Sequence, residues 1–148
     1  MSVSSVQIPA NFPGPKTHVG FQFWLKAQRW SEFIDARLKP YRITQSELFQ
    51  LIALATLSQT SDEVTQTTLG RYTEIGAMTT SKVLRRLEKK SLLQRVPATD
   101  SRAKALLVTP AGWDLLVKTA SLLQQVQTEY FPVTNKTVFQ DYLNTLTK

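Results

Sequence analysis

The spacing of hydrophobic residues divides the chain into helical stretches separated by polar turns. Apolar side chains recur every three or four positions over residues 16–39, and Pro40 follows, so this stretch is predicted to be a long first helix. Residues 48–57 are apolar on nearly every side, which predicts a second helix at the centre of the core. Just before it, Thr44 and Glu47 have the spacing of a capping box, so the second helix is predicted to begin there.

The pattern over residues 65–109 is the most informative in the chain. A short helix is predicted over Gln66–Thr73, followed by a glycine-containing turn and a longer helix over Ala77–Lys90. Two strands rich in Leu and Val, Leu92–Pro97 and Ala103–Thr109, then flank a polar loop without core-forming side chains. This order of elements predicts a winged helix-turn-helix, in a mainly α fold with a small β-hairpin wing.

Two further helices are predicted after the hairpin. Thr109 followed by Pro110 is typical of an N-cap and a first helical residue, and apolar spacing extends this helix up to Pro132. A last amphipathic helix follows a predicted cap at Thr134 or Asn135.

These elements predict one domain over residues 16–148, preceded by a flexible arm over residues 1–15. The arm contains three prolines, no charged side chain and no helical or strand periodicity, so it is predicted to be loose unless a partner subunit covers it. The winged helix is expected at about 44–109, and the polar residues 58–64 within it connect the second helix to the helix-turn-helix. The flanking helices, at about 16–39 and 110–147, present more apolar surface than a small winged domain needs, which favours a homodimer.

Positive charge is concentrated in the helix-turn-helix and the hairpin. Residues 71–104 contain nine basic and three acidic side chains, so this segment carries +6 of the chain's net charge of +7. On the helix Ala77–Lys90, Thr80, Val83, Leu84 and Leu87 share one side, and the basic residues share the other. A solvated surface is the ordinary interpretation of a basic helix face. The order of helix, turn, basic helix and charged hairpin favours a surface that meets DNA phosphates.

The same segment resembles the MarR (multiple antibiotic resistance regulator) family of winged helix-turn-helix transcriptional regulators. The resemblance rests on Val83–Lys90 followed by Leu92-Leu93, on Asp100–Leu106, and on Val108–Gly112. The flanking helices extend it over roughly residues 19–147, and a short paired strand within residues 58–64 would fit the family. Ser91 departs from the family, which usually has glycine there, and a left-handed helix cap costs serine more than glycine.

The resemblance implies a sequence-specific regulator that binds double-stranded DNA as a homodimer and commonly represses a nearby operon. The helix Ala77–Lys90 is expected in the major groove, and half-sites with inverted symmetry follow from a two-fold dimer. Arg102 at the wing tip is expected in the flanking minor groove, with Asp100 holding the loop in shape. The predicted DNA-binding residues are Met78, Thr79, Ser81, Lys82, Arg85, Arg86, Lys89, Arg102 and Lys104.

Many members of the family release DNA when a small aromatic compound binds between the dimerisation helices and the winged domain. The first predicted helix is dense in aromatic residues, and Arg29 offers a counter-charge for an aromatic anion. The predicted effector pocket therefore comprises Trp24, Gln28, Arg29 and Trp30, although core or interface packing is the alternative explanation for the aromatic residues. Two other functions stay open: a DNA-binding dimer with no effector, and a winged helix that binds another protein.

The composition argues against catalysis. The chain has no cysteine and one histidine, His18, so a transition-metal site would have to be built almost entirely from carboxylates. The glycines never cluster into a phosphate-binding loop, and no catalytic residues, metal site or cofactor is predicted. Without a signal-like N-terminus or a stretch of about 18 apolar residues, the protein is expected in the cytoplasm and away from membranes.

Overall fold

The computed structural model describes residues 14–100, 102–132 and 136–146 of the 148-residue chain. Over these residues it confirms the predicted mainly α architecture with a hairpin wing. Most of the predicted arm and the predicted caps at Thr134 and Asn135 lie outside the described residues. In chain order the elements are α1 (Val19–Leu38), a 3-10 helix (Lys39–Tyr41), α2 (Gln45–Leu57), α3 (Gln66–Thr73), α4 (Ala77–Lys89), β1 (Leu93–Pro97), β2 (Lys104–Val108), α5 (Pro110–Tyr130) and α6 (Lys136–Thr145).

The first helix begins later than predicted because His18 caps it. The His18 imidazole Nδ1 accepts a hydrogen bond of 3.1 Å from the backbone N–H of Phe21, which satisfies one of the free amides at the start of α1. The predicted start at Lys16 was therefore wrong by three residues. The lone histidine has a structural role at this helix end.

Helix α2 lies at the centre of the core, as predicted. Leu48, Leu51 and Leu54 are fully buried on it, and the helix contacts α1, α3, α4, α5 and β2. The predicted capping box is present, because the Thr44 Oγ1 accepts from the Glu47 N–H and the Glu47 carboxylate accepts from the Thr44 N–H at 3.0 Å. This central helix is the support on which the helix-turn-helix packs.

Two local features fix the turn between α3 and α4. Glu74 adopts the left-handed conformation, with φ 56°, whereas Gly76 is at φ −55° as the N-cap of α4. The glycine is therefore not the residue that makes the left-handed bend. Thr80 is buried, and its hydroxyl donates to the carbonyl of Ile75 at 3.2 Å, which ties the first turn of α4 to the preceding loop.

The wing is a two-stranded antiparallel hairpin in which Leu93 pairs with Val108 and Pro97 pairs with Lys104. Ser91 has φ 57°, so it occupies the left-handed cap position expected from the sequence, and the chain then turns into β1. This turn makes β1 begin at Leu93, one residue later than predicted. The short strand predicted within residues 58–64 is reduced to a single bridge between Thr65 and Ala105, beside a 2.7 Å hydrogen bond from the Leu106 N–H to the Val64 carbonyl.

The long helices α1 and α5 are joined near the C-terminal end of α5. The Tyr130 hydroxyl donates to the Lys26 carbonyl at 3.1 Å, and Arg37 forms a two-pronged ion pair with Glu129 at 2.7 Å. The Arg37 hydrogen bond lowers the pKa of the Glu129 carboxyl. Trp30 lies 5.1 Å from the ring of Tyr130, so aromatic packing adds to this junction.

Candidate nucleic-acid interface

Helix α4 separates its apolar and polar residues as the sequence predicts. Thr80, Val83, Leu84 and Leu87 are buried against the core. Met78, on the other side, is 89% exposed, and the basic side chains beside it face solvent. The packing therefore leaves the basic face of α4 accessible along its whole length.

Most of the predicted DNA-binding residues on α4 lie together along one shallow groove. Arg85 is held within it, because its guanidinium donates to the Ser81 hydroxyl at 3.0 Å, one helical turn earlier. Thr79 is exposed on the first turn but does not line the groove. The groove is lined by Ala77, Met78, Ser81, Lys82, Arg85, Arg86 and Lys89.

Two cations of the basic segment are engaged inside the fold. The Lys90 ammonium contacts the Glu47 carboxylate at 2.6 Å and donates to the Arg42 carbonyl at 2.9 Å, which ties the end of α4 to the start of α2. Arg95 pairs with Glu88 at 3.3 Å and also contacts the Gln66 side chain. The charge that can meet a partner is therefore smaller than the sequence count indicates.

The Glu47 carboxylate carries its charge although its side chain is almost fully buried. Burial acts against its charge, but the hydrogen bonds from Lys90 and Thr44 outweigh that cost and bring its pKa below the ordinary value of 4.5. Because the Glu47 side chain is almost fully buried and that of Lys90 is 37% exposed, the pair has only limited contact with water. This interaction stabilises the position of α4, and no local sequence signal links the two residues.

Asp100 accepts two hydrogen bonds within the wing loop. Its carboxylate accepts from the Arg102 N–H at 3.0 Å, and its carbonyl accepts from the Ala103 N–H at 2.9 Å, so the chain turns back tightly toward β2. Arg102 and Lys104 are exposed on this turn and at the start of β2. The wing thus presents two exposed cations.

A contact that the sequence does not predict holds the other side of the wing loop. The Glu63 carboxylate accepts hydrogen bonds from the Thr99 N–H at 2.7 Å and from the Thr99 hydroxyl at 3.0 Å. In the sequence, Glu63 and its neighbour Asp62 have the character of a solvated turn. Nothing local indicates that residue 99 lies beside them.

The four residues predicted for an effector pocket are not brought together in one cavity. Trp30 lines a cavity of about 350 Å³ between α1, α2, α5 and α6, whereas Trp24, Gln28 and Arg29 do not line it and are exposed. The cation in its wall is Lys136 rather than Arg29. The remaining lining residues are Phe49, Leu123, Gln127, Phe131, Phe139, Gln140 and Leu143.

Within residues 14–100, 102–132 and 136–146, no three acidic, histidine or cysteine side chains come together as metal ligands would. Over the same ranges, every helix is too short or too polar to cross a bilayer.

Comparison with known proteins identifies the fold and a DNA-binding domain within it. A family model described as a winged helix DNA-binding domain matches residues 49–112. The Uncharacterized HTH-type transcriptional regulator YdcH of Bacillus subtilis (strain 168) is 24% identical over 128 residues, which are 86% of this chain and 87% of that protein.

Two solved structures are similar over most of the chain. BpsR of Bordetella bronchiseptica, whose DNA binding is regulated by 6-hydroxynicotinic acid, matches with a TM-score of 0.77 at 19% identity, over 88% of this chain and 94% of that one. A MarR mutant from E. coli complexed with operator DNA matches with a TM-score of 0.76 at 18% identity, over 86% of this chain and 91% of that one.

At these identities the solved structures establish the fold, and the matched domain adds DNA binding. Residues 49–112 of that domain contain both α4 with its exposed basic face and the wing with Arg102 and Lys104. The relative with shared sequence over most of its length is a transcriptional regulator. Residues 49–112 are therefore a winged helix DNA-binding domain, and the chain shares the fold of the solved BpsR and MarR structures.

Proposed function

We propose that this chain is a homodimeric repressor that binds inverted-repeat sites in double-stranded DNA and releases them when a small aromatic anion binds. The observation that carries the DNA-binding part is the accessible basic face of α4, whose apolar face is fixed against the core. A helix of this size fits the major groove of B-form DNA. The wing beside it supplies two more cations.

Side chains near the start of α4 are assigned to base edges, because the N-terminal part of a recognition helix lies deepest in the groove. Thr79, Ser81 and Lys82 occupy this part of the helix. Arg85 joins them, since its hydrogen bond to Ser81 orients a guanidinium that can pair with guanine in a bidentate manner. Met78 adds an apolar surface for a thymine methyl group.

The remaining cations are assigned to the DNA backbone and the minor groove. Arg86 and Lys89 lie further along α4, where side chains reach phosphates rather than bases. Arg102 and Lys104 on the wing are placed to enter the adjacent minor groove, where a narrow groove has a strong negative potential. Asp100 holds the loop and is not assigned to DNA, since phosphates repel a carboxylate.

Two substitutions separate base reading from groove reading. Lys82→Ala should cost about 1–3 kcal/mol per half-site and relax base preference, because it removes a base contact. Arg102→Ala should weaken all sequences more evenly and flatten the salt dependence by roughly one unit of slope per lost contact. The measurement is equilibrium binding at several salt concentrations, on a site selected from random DNA and on a scrambled duplex.

Lys26→Ala on α1 is the control for these substitutions, since it removes the same charge outside the winged helix. It should leave both binding curves close to those of the wild type. Unchanged affinity for the selected site in both Lys82→Ala and Arg102→Ala would show that the basic face is only a solvated surface. A salt-independent affinity for another protein without a DNA footprint would support the alternative of a protein-binding winged helix.

The effector is assigned to the cavity beside Trp30. Trp30 and Phe131 have ring centroids 4.9 Å apart, and Phe131 and Phe139 are 5.8 Å apart, so aromatic faces surround the space. Lys136 in the wall supplies the positive charge that an aromatic carboxylate needs. The cavity spans helices of the winged domain and of the flanking region, so an occupant can favour one spacing of the recognition helices over another.

Calorimetry with salicylate and with 6-hydroxynicotinic acid tests this assignment. Lys136→Met should weaken binding, whereas Arg29→Gln should not, because Arg29 lies outside the cavity wall. The reverse result would restore the pocket predicted from the sequence. If no heat of binding is detected up to millimolar ligand, the result would support the alternative of a DNA-binding dimer that has no aromatic effector.

A further inference from the structure

We infer that Glu63 is a positioning residue for the wing, which holds the wing loop so that its cations meet DNA in one orientation. This inference rests on the proposed mode of DNA binding. Glu63 belongs to the segment between α2 and α3, and the wing loop lies between β1 and β2. The two segments come together only in the folded chain.

The contact between Glu63 and the wing loop is made by two hydrogen bonds to one residue. The same carboxylate oxygen accepts from the backbone N–H of Thr99 at 2.7 Å and from its hydroxyl at 3.0 Å. Hydrogen bonds to an ionised carboxylate are stronger than those between neutral groups. Thr99 immediately precedes Asp100, the residue that shapes the turn leading to Arg102.

The residues that follow Glu63 attach the hairpin to the helix-turn-helix. The Val64 carbonyl accepts from the Leu106 N–H at 2.7 Å, and Thr65 forms a bridge with Ala105. Thr65 is also the N-cap of α3, since its hydroxyl accepts from the Thr68 N–H at 3.2 Å. Three consecutive residues therefore hold the wing tip, the strand β2 and the start of α3 in one arrangement.

The negative charge of Glu63 allows a positioning role to be distinguished from that of a solvated acid. A carboxylate near a DNA-binding surface repels phosphates, so removing a merely solvated acid should strengthen DNA binding. Removing a carboxylate that orders the wing should weaken binding, because the loop must then be ordered when DNA binds. Asp62 is the matched control, since it is an exposed acid of the same charge next to Glu63 in the chain.

The experiment compares Glu63→Ala, Glu63→Gln and Asp62→Ala in the full chain. Two duplexes are used: one carries the selected site with its flanks, and the other is trimmed of the flanking base pairs that the wing reaches. On the long duplex, Glu63→Ala should weaken binding about fivefold to thirtyfold, which corresponds to ordering roughly one loop residue. Glu63→Gln should stay near the wild type because its amide oxygen accepts the same hydrogen bonds, and Asp62→Ala should bind equally or more tightly.

The trimmed duplex separates wing positioning from a general folding defect. Glu63→Ala should match the wild type on it, whereas a poorly folded variant would lose affinity for both duplexes. Thr99→Val removes only the hydroxyl hydrogen bond, so it should show a smaller loss with the same dependence on the flanks. These patterns would support a role that acts through the wing.

A double-mutant cycle with Arg102→Ala completes the test. If Glu63 acts by orienting the wing, Glu63→Ala should have little further effect once Arg102 is absent. Fully additive losses, or a Glu63→Ala variant that binds as tightly as Asp62→Ala, would overturn the inference. Failure of the proposed DNA binding would instead appear in the wild type itself, as weak affinity for the selected site or as affinity independent of salt.

Discussion

Gly112 lies at the joint between the wing and α5, where there is no space for a larger residue. A Cβ atom added there would lie 2.2 Å from the Leu92 carbonyl oxygen and 2.8 Å from the Val108 side chain. The first of these atoms belongs to the backbone, so it cannot move without displacing the corner that Ser91 begins. The glycine at the end of the sequence Val108–Gly112 is therefore required by close packing.

Gly112→Ala should lower the free energy of unfolding by at least about 1–3 kcal/mol, because overpacking forces the backbone to shift. Urea unfolding measures the change. Gly70→Ala is the control, since its added Cβ would be 3.6 Å from the nearest atom, the Ile75 carbonyl oxygen, which is an ordinary contact. Alanine is the better helix former, so this control should raise stability by up to about 1 kcal/mol. An equal response of the two variants would contradict the steric explanation.

At the scale of elements, the ion pair between Glu47 and Lys90 joins α2 to the end of the recognition helix. The two residues are 43 positions apart, and their contact at 2.6 Å lies beside the capping box of α2. The same carboxylate thus serves as a helix cap and as the partner of a cation from α4. Any change in its charge acts on both elements together.

The lowered pKa of Glu47 gives the stability of this junction a definite dependence on pH. Since the folded pKa is below the unfolded value of about 4.5, the ionised pair contributes full stability above that value. The contribution is lost as the pH falls through the folded pKa. Lys90→Met removes one cause of the lowered pKa, so its free energy of unfolding should change less between about pH 6 and pH 3.

Urea unfolding at a series of pH values checks this expectation. Glu129→Gln is a necessary control, because Arg37 also lowers the pKa of the exposed Glu129 carboxyl, so that pair also adds acid sensitivity. Each variant should remove a separate part of the acid sensitivity. If the free energy of unfolding of Lys90→Met depends on pH as steeply as that of the wild type, the ion pair does not stabilise the junction.

At the scale of the whole molecule, large apolar side chains are exposed on the helices that flank the winged domain. They occur at the start of α1, on α5 and on α6, outside the basic surface assigned to DNA. We propose a second copy of the chain as the partner that covers them, since a two-fold dimer places two recognition helices about 34 Å apart. These side chains include Phe23 at 54% exposure, Trp24 at 53%, Val117 at 74%, Tyr142 at 69% and Leu146 at 64%.

Removal of residues 133–148 should therefore give a monomeric or aggregating protein, as measured by analytical ultracentrifugation. Tyr142→Glu is a milder change that should weaken self-association by placing a charge among apolar groups. Thr137→Glu, on another side of α6, adds the same charge and should leave the dimer intact. A truncated chain that still sediments as a dimer would refute the role of α6.

The sequence by itself determined the elements of the winged helix and the basic face of α4. Capping boxes, helical periodicity and the left-handed cap at Ser91 depend on residues within a few positions of each other, so they can be recognised before the chain folds. The amphipathic division of α4 is likewise a property of one helix. Its buried residues Thr80, Val83, Leu84 and Leu87 were all predicted.

Only the tertiary structure decided which charges are free and which residues share a cavity. Lys90 and Arg95 count toward the basic segment in the sequence, but the fold places each beside a carboxylate. Glu63 accepts a hydrogen bond from Thr99, which is 36 residues away in the chain. Trp30 and Lys136 line the same cavity although they belong to opposite ends of the chain. A side chain's type gives its charge, whereas its partner depends on how distant segments pack, and local patterns carry no record of that packing.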